Sequence, residues 1–285
     1  MNMELGLVYS QISFETKELM RAAAEEGMAL AKINDNELQL SLGENTPTFP
    51  QCTLMRSISH SHGLYVSEYI EYLQKTSINS AAAIRICGDK ALCSMHLAKA
   101  RIPSPKTFLS FSSQMAQSAM DSLSYPCVVK PVIGSWGRLV QKINDSDAAR
   151  AVLEYKEHLS NPMHKVYYTQ AYVEKPGRDI RAFMCGGEIA GAIYRTSENG
   201  DFRTNHHLGS CVSPCPVSSE LSDICGHVAQ LFGNEQILGI DLIESSEGLL
   251  VVEVNSTPEF AGCQKATGID IAKKTVQHAM RIAKN

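Results

Sequence analysis

Gly239-Ile240-Asp241-Leu242 and Val252-Glu253-Val254-Asn255 are two apolar stretches, each interrupted by a carboxylate and separated by the turn-forming run Glu244-Ser245-Ser246-Glu247-Gly248. The pattern predicts an antiparallel pair with strands over Ile237–Ile243 and Leu249–Asn255. Glu253 and Asn255 are two apart, so their side chains leave one face of the strand. A hairpin centred near Glu247 sets Asp241 directly opposite Glu253. Two carboxylates facing each other across a ladder repel, so something positive is expected between them. Two carboxylates and an amide carbonyl make an all-oxygen donor set, which suits Mg²⁺ or Mn²⁺ better than zinc. The hairpin alone supports equally well a solvent-facing Asp241 and an Asn255 that only opens a turn.

Basic residues lie on both sides of this hairpin. Val128-Val129-Lys130-Pro131 ends a strand on a lysine, and Gly134-Ser135-Trp136-Gly137-Arg138 follows as a turn. Its glycines let backbone N–H groups approach an anion, and Ser135 and Arg138 add donors. The stretch is neither a Walker A sequence nor a GxGxxG fingerprint, and by itself a Gly-rich turn is more often just a turn. Lys90, Arg178, Arg181, Arg195 and Arg203 complete the cationic set. Arginine holds phosphate or carboxylate in a two-pronged grip, and lysine acts as a point charge. A charge run usually marks a solvated face. In a chain of net charge −4, with 26 basic and 30 acidic residues, a local site for an anionic ligand fits these positions better.

The rest of the chain predicts three regions: an N-terminal α/β domain over 1–86, a central subdomain over 87–165 carrying the glycine turn, and a C-terminal subdomain over 166–285 carrying the carboxylate hairpin. The expected strands are Leu5–Tyr9, Ala29–Ile33, Lys106–Leu109, Tyr125–Pro131, Leu139–Ile143, Val166–Val173, Arg178–Cys185 and Glu188–Tyr194, besides the hairpin. Helices are expected over Thr16–Met28, Gly63–Gln74, Asp89–Ala100, Ser112–Leu123, Asp145–His158, Ser219–Phe232 and Ile269–Ala283. Gly186-Gly187 reads as a two-residue hairpin turn. Thr196–Pro216 is polar and without period, and is expected to be one long loop.

Composition sets outer limits. The 285 residues are about two domains' worth, and 44% apolar with 20% charged residues describes an ordinary globular chain. A net acidic chain has no global field for a nucleic-acid backbone, and no 18-residue apolar run is present. The first residues carry Glu4 and no Lys or Arg, unlike a secretory signal, and nine irregularly spaced cysteines suggest reduced thiols. A cytoplasmic protein without nucleic-acid or membrane partners is expected. Cys211 and Cys215 beside His206 and His207 have zinc-compatible spacing but no second ligand pair, so free thiols are the expectation. No GxSxG elbow supports a hydrolase triad.

The order Gly88-Asp89-Lys90, Lys130-Pro131, Gly134-Ser135-Trp136-Gly137-Arg138, Lys175-Pro176-Gly177-Arg178-Asp179-Ile180-Arg181, Asp201-Phe202-Arg203-Thr204-Asn205 and Glu253-Val254-Asn255 resembles the ATP-grasp ligases of the RimK/LysX type. That branch includes ribosomal-protein-S6 glutamate ligases and the enzymes that join α-aminoadipate or glutamate to the C-terminal glutamate of the small carrier protein LysW. Arg56-Ser57-Ile58-Ser59 and His62-Gly63-Leu64 look like the LysX type, so the resemblance covers nearly the whole chain.

The resemblance implies an α+β ATP-grasp fold of three subdomains with ATP between two lobes, and dimers or tetramers. Lys90 and Lys130 would contact the nucleotide, Gly134 to Arg138 would be the lid, and Gln170-Ala171-Tyr172-Val173 would be the adenine-reading hinge. Arg178 and Asn205 would add nucleotide contacts. Asp241, Glu253 and Asn255 would bind two magnesium ions. Arg195, Arg203 and Asn205 would serve catalysis. Arg181, Arg195, Thr204, Thr257, Pro258, Glu259, Phe260, Gly262 and Cys263 would face the substrate. In the family, the pair at 262–263 sorts substrates, Asn-Ser/Thr for aminoadipate and Gly-Phe for glutamate; here it is Gly262-Cys263. The expected reaction is ATP-driven amide formation through an acyl phosphate on an acidic carrier protein. The alternatives are a protein-tail or small-molecule glutamate ligase and a non-catalytic nucleotide-binding module.

Overall fold

The computed structural model describes residues 4–43, 47–134, 137–197, 202 and 211–284. Ser135, Trp136, Arg203, Thr204 and Asn205, together with His206 and His207, lie outside the described residues.

The N-terminal strands β1 (Glu4–Tyr9), β2 (Ala29–Asn34), β3 (Cys52–Arg56) and β4 (Thr76–Ile78) form a parallel sheet in the order β2-β1-β3-β4. Helices α1 (Phe14–Glu25) and α2 (His60–Tyr72) are started by Ser13 and Ser59, whose side chains accept from the N–H groups of Thr16 and His62. The sequence pattern finds β1 and β2 but not β3. Cys52, Thr53, Leu54 and Met55 are all buried, so β3 carries no alternation, as expected of a parallel strand covered on both faces. The short helix α3 (Ala81–Cys87), also unexpected, precedes α4 (Lys90–Lys99), which Asp89 caps through the N–H groups of Ala91 and Leu92.

The central sheet takes the antiparallel order β5-β8-β6-β7 from β5 (Thr107–Ser110), β6 (Cys127–Lys130), β7 (Gln141–Ile143) and β8 (Tyr167–Ala171). Helices α5 (Ser113–Leu123) and α6 (Ser146–Glu157) cover it, with Ala116, Met120, Ala149 and Leu153 against Cys127, Val129, Ile143 and Tyr167. β8 was expected to open the C-terminal subdomain. It instead pairs with β5 and β6, so this sheet runs past residue 165.

The C-terminal sheet has the order β11-β10-β9-β12-β13, made of β9 (Arg178–Cys185), β10 (Glu188–Thr196), β11 (Cys211–Pro214), β12 (Ile237–Ser245) and β13 (Gly248–Asn255). Gly186 and Gly187 sit at φ +66° and +82° in the β9–β10 turn, the paired positive values a tight hairpin requires. The expected 196–216 loop ends in β11, which pairs Val212 with Arg195. β11 is a mostly exposed edge strand without a buried face, and it therefore leaves no apolar period. Helix α7 (Ser219–Phe232) packs on one face of the sheet. On that face Ile180, Ala182, Met184, Leu238, Ile240 and Leu242 are buried, and each of the large side chains among them contributes roughly 1.5–3 kcal/mol. The other face meets α8 (Ala261–Thr267), unexpected from sequence, and α9 (Ile271–Ala283).

Several bonds fasten the N-terminal domain to the C-terminal sheet. Asn79 Nδ2 donates to the Ile237 carbonyl at 2.6 Å while its Oδ1 accepts from the Ile237 N–H at 2.5 Å. Arg21 pairs with Asp270 at 2.8 Å. Among the described residues no helix is long and apolar enough to cross a membrane.

Candidate functional site: a charged sheet face between two clefts

Strand alternation sorts the C-terminal sheet into an apolar face and a charged one. The charged face runs across four strands: Arg195 on β10, Asp179 and Arg181 on β9, Asp241 on β12, and Glu253 with Asn255 on β13. The register places Arg195 opposite Asp179, Arg181 opposite Asp241, and Asp241 opposite Glu253. The ladder slips between Asp241 and Leu242, which pairs with Val251 and leaves Val252 as a bulge beside the carboxylates.

Positive charge does meet both carboxylates. Arg181 grips Asp241 with Nε on Oδ1 and with Nη2 on Oδ2 at 2.8 Å, and Arg195 Nη2 reaches Asp241 Oδ1 at 3.1 Å. Arg195 also holds Asp179 at 2.7 and 2.9 Å. Burial pushes the Asp241 carboxyl up, but Arg181 and Arg195 outweigh it and hold the pKa at about 2. Burial works against the Arg195 cation, and the charges of Asp241 and Asp179 more than offset it, so its pKa is raised. Lys90 Nζ lies 3.0 Å from Glu253 Oε1 and donates to the Gly134 carbonyl at 2.7 Å, tying the glycine turn to the hairpin.

The first cleft lies between the central and C-terminal sheets, with about 920 Å³ of space open to solvent. It is lined by the charged Lys90, Lys130, Arg138, Asp179, Arg195, Asp241 and Glu253 and by Gly134 and Gly137. Gln170, Ala171, Tyr172 and Val173, the stretch expected to be the hinge, line it, as do the apolar Val128, Leu242 and Ile243. Lys130 is buried and donates to Gln170 Oε1 at 2.6 Å. Burial lowers its pKa to about 8, with Glu253 opposing and Lys90 reinforcing the shift. The Gln170 amide nitrogen reaches Thr107 Oγ1 and the Tyr168 hydroxyl at 3.0 Å. Its side chain therefore positions Lys130.

The second cleft is larger, about 2380 Å³, and separates the N-terminal domain from the C-terminal sheet. Arg181, Asn255, Thr257, Pro258, Glu259 and Gly262 line its C-terminal side, and Glu15, Arg56 and Ser57 are on the opposite wall. Burial lowers the pKa of Arg56 while Glu15 and Glu259 favour its charged form. A Cβ on Gly239 would come within 2.7 Å of Pro258 Cβ, so this glycine lets the chain after β13 fold back over the metal-type hairpin. Gly134, Arg195, Asp241 and Glu253 line both clefts, so the two spaces meet at the carboxylate pair.

Several expected site residues fall elsewhere. Arg178 lines neither cleft: one position out of phase with Asp179 and Arg181, it pairs with Glu244 at 2.7 and 2.8 Å and stacks on Tyr194 at 3.8 Å. Arg181, expected at the substrate, does line the second cleft, with its guanidinium engaged by Asp241. Phe260 is buried beneath the second cleft, edge-on to Phe14 with centroids 6.5 Å apart. Cys263 borders that cleft, yet it is fully buried, and a Cβ on Gly191 would be 2.9 Å from its Sγ; zero exposure places the thiol behind the wall. Burial pushes this thiol up to about 11. Sequence reading missed Asp179, although its spacing of two from Arg181 marks a shared strand face. It also missed Glu15, which no local pattern sets apart.

The donor chemistry at the hairpin fits a hard cation. Asp241 and Glu253 offer carboxylate oxygens from facing positions, and Asn255 Nδ2 donates to the Gly239 carbonyl at 3.4 Å. Among the described residues no group of three or more His, Cys, Asp or Glu gathers as a nitrogen or sulfur site would need.

Comparison with known proteins agrees with this architecture. Residues 5–86 match the LysX preATP-grasp domain, and residues 87–279 match the RimK-like ATP-grasp domain. The α-aminoadipate–LysW ligase LysX of Saccharolobus solfataricus is 34% identical over 272 residues, covering 93% of this chain and 97% of the relative. The glutamate–LysW ligase ArgX of Sulfolobus acidocaldarius is 31% identical, covering 97% and 98%. The crystal structure of a RimK-domain ATP-grasp protein from Sphaerobacter thermophilus superposes with a TM-score of 0.80 at 20% identity, over 96% of this chain and 98% of that one. The chain therefore belongs to the RimK-like ATP-grasp family, with a LysX-type pre-ATP-grasp domain at its front, and so to a group of amide-forming ligases that use ATP and magnesium.

Proposed function

We propose that this protein is an ADP-forming ligase that joins an acidic amino acid, glutamate or α-aminoadipate, to the C-terminal glutamate of a LysW-type carrier protein. The meeting of the two clefts at Asp241, Glu253, Arg195 and Gly134 carries the reading. It gives a nucleotide chamber and an acid chamber one shared wall, where a phosphoryl group can pass between them. Similarity to carrier-protein ligases over nine-tenths of the chain supports the substrate class.

In this reading the adenine lies against Val128, Leu242 and Ile243 and meets the backbone of 170–173. Lys90 and Lys130 hold phosphates, with Gly134 to Arg138 as the lid. Asp241, Glu253 and Asn255 would hold Mg²⁺, which when bound neutralises charge on the transferring phosphoryl group. Arg195 faces both chambers and adds a fixed positive charge where that group crosses. A carboxylate oxygen of the acid bonds to the γ-phosphorus as the bond to the ADP oxygen breaks. The amine then attacks the acyl carbon, its proton leaves, and inorganic phosphate departs. Closing the lid keeps water from the acyl phosphate. ADP release that requires a carrier ending in glutamate together with either amino acid tests this. Release unaffected by both, or none, would count against it.

Lys130 gives a pH signature. Its folded pKa of about 8 is below the ordinary lysine value. The cost of burying the cation is therefore present below pH 8, and stability rises between about 8 and 10.5, where the unfolded chain binds the extra proton. Nucleotide affinity should move oppositely and fall above about pH 8, as the phosphate contact loses its charge. ATP titrations from pH 7 to 9.5 should show that fall in the wild type and not in Lys130→Met.

Gly262 is the selectivity position this chain offers. A Cβ there would meet Val212 Cγ1 at 3.6 Å and Ile193 Cδ1 at 3.9 Å, ordinary contacts that a side chain tolerates. Glycine leaves that volume to the substrate and matches the glutamate-type half of the family pair. Gly262→Asn should shift the kcat/KM ratio toward aminoadipate about tenfold, because one methylene is worth roughly 1–3 kcal/mol. Cys263→Thr, behind the wall, should leave the ratio nearly unchanged. An unmoved ratio in Gly262→Asn would transfer substrate choice to another part of the cleft.

A further inference from the structure

The N-terminal wall of the second cleft has features that phosphoryl transfer does not use. The strand order β2-β1-β3-β4 reverses between β1 and β3, and in open parallel sheets ligands bind beyond the carboxyl ends of the strands at such a reversal. Gln11, Ser13 and Glu15 after β1, and Arg56 at the end of β3 with Ser57 to His60 after it, line the cleft at that point. The start of α1 is already filled. The Glu15 carboxylate accepts from Ser13 Oγ at 3.0 Å and from the Ala261 N–H at 3.3 Å.

The start of α2 differs. Its first turn has no acidic residue, and among the described residues Ser59 Oγ accepts from the His62 N–H alone, at 3.3 Å. The N–H groups of His60 and Ser61 come too early in the helix to find a carbonyl within it. Among the described residues, two polar atoms immediately before this turn are buried without a hydrogen-bond partner: Arg56 Nε and Ser57 Oγ. Ser57 is only 6% exposed, and both residues line the cleft. Arg56 is held in place by Nη1 on the Pro258 carbonyl at 2.8 Å and by the Phe260 ring 5.8 Å from its Cζ. Buried donors without partners are costly unless a ligand meets them. A guanidinium edge, a hydroxyl and a helix start together complement a carboxylate.

We propose that Arg56, Ser57 and the first turn of α2 form a subsite that anchors a substrate carboxylate not consumed in the reaction. The proposal rests on the ligase reading above. An acidic amino acid reacting through its amine keeps both carboxylates, and a C-terminal glutamate activated at one carboxylate keeps the other, so either substrate supplies the ligand.

The test is steady-state kinetics of the wild type, Arg56→Gln, Arg56→Lys and Ser57→Ala. The probes are glutamate and α-aminoadipate, the α-amide and side-chain amide of each, and a LysW-type carrier or its tail peptide ending in glutamate with a free or amidated terminus. The wild type should discriminate about tenfold or more against the amide that replaces the anchored carboxylate. Arg56→Gln should raise KM for the carboxylate form about tenfold to a hundredfold and flatten the discrimination, with Arg56→Lys between. Ser57→Ala, which removes only an unpartnered hydroxyl and preserves the packing, should raise the same KM severalfold. The substrate whose discrimination collapses identifies the source of the carboxylate. Wild-type turnover with discrimination unchanged in Arg56→Gln and Ser57→Ala would overturn the subsite alone. Absence of wild-type turnover on every pairing would overturn the ligase reading as well.

Discussion

Glu253→Gln should lower ligation by about a hundredfold to a thousandfold or more while leaving the thermal midpoint nearly unchanged, whereas Asp241→Asn should lower both. The two carboxylates face each other on the ladder, but their surroundings differ. Glu253 has 27% of its side chain exposed and pairs with Lys90, whose side chain is 12% exposed. Its neutral isostere keeps the shape and leaves Lys90 with the Gly134 carbonyl. Asp241 is buried between two arginines, so asparagine there strands buried cations at roughly 3 kcal/mol or more. Acid acts on the same group. With a depressed folded pKa of about 2, the stabilisation by Asp241 is complete above about pH 4 and lost as the pH falls toward 2. Turnover at saturating ATP and Mg²⁺, measured beside melting curves, separates the two effects. Full activity in Glu253→Gln would remove the metal role of the hairpin.

Arg195→Met should lower stability by about 3 kcal/mol or more and abolish turnover, because methionine removes the two-pronged grip on the buried Asp179 and leaves Asp241 with one arginine. The comparison that isolates burial is Arg178→Met. Arg178 grips Glu244 with the same two-pronged geometry, but its side chain is 36% exposed, and the expected loss is under about 1 kcal/mol. Arg195→Lys retains the charge and loses one prong, and should fall between wild type and Arg195→Met in both readouts. Equal losses in Arg178→Met and Arg195→Met would show that the charged row contributes no special stability. Retained turnover in Arg195→Met would remove Arg195 from the reaction.

The parts of this fold legible in sequence are those where polar and apolar residues alternate with the period of the element. Helix α7 appears with its full span because one side of it is wet and the other dry, and strand β9 because charged residues alternate with apolar ones and Gly186-Gly187 marks its end. Counting back from a turn centred on Glu247 sets Asp241 against Glu253, and the structure has that pairing, but by a different route: the turn pairs Ser245 with Gly248, and the bulge at Val252 restores the register. Strand β3 was illegible because it is buried on both faces, and β11 because it is buried on neither. At the site, sequence supplied the residue types and parity supplied the face, but partners were beyond reach. Nothing local says that Arg181 turns to Asp241, that Arg178 turns away to Glu244, or that Gln170 serves Lys130. Those choices depend on which strands become neighbours, and β9 lies between β10 and β12 only in three dimensions. The buried Arg56–Ser57 pair was visible as a motif but carried no chemistry until the end of β3 was found to open on the second cleft.

The central claim is that a phosphoryl group passes from the nucleotide cleft to a carboxylate in the second cleft. An acceptor whose terminal glutamate carboxylates carry ¹⁸O tests it directly. If the acyl phosphate forms, one labelled oxygen per turnover leaves in inorganic phosphate, and the new amide keeps the other. Phosphate free of label, with product still formed, would contradict the account and require the amide to arise without phosphoryl transfer at the junction of the two clefts.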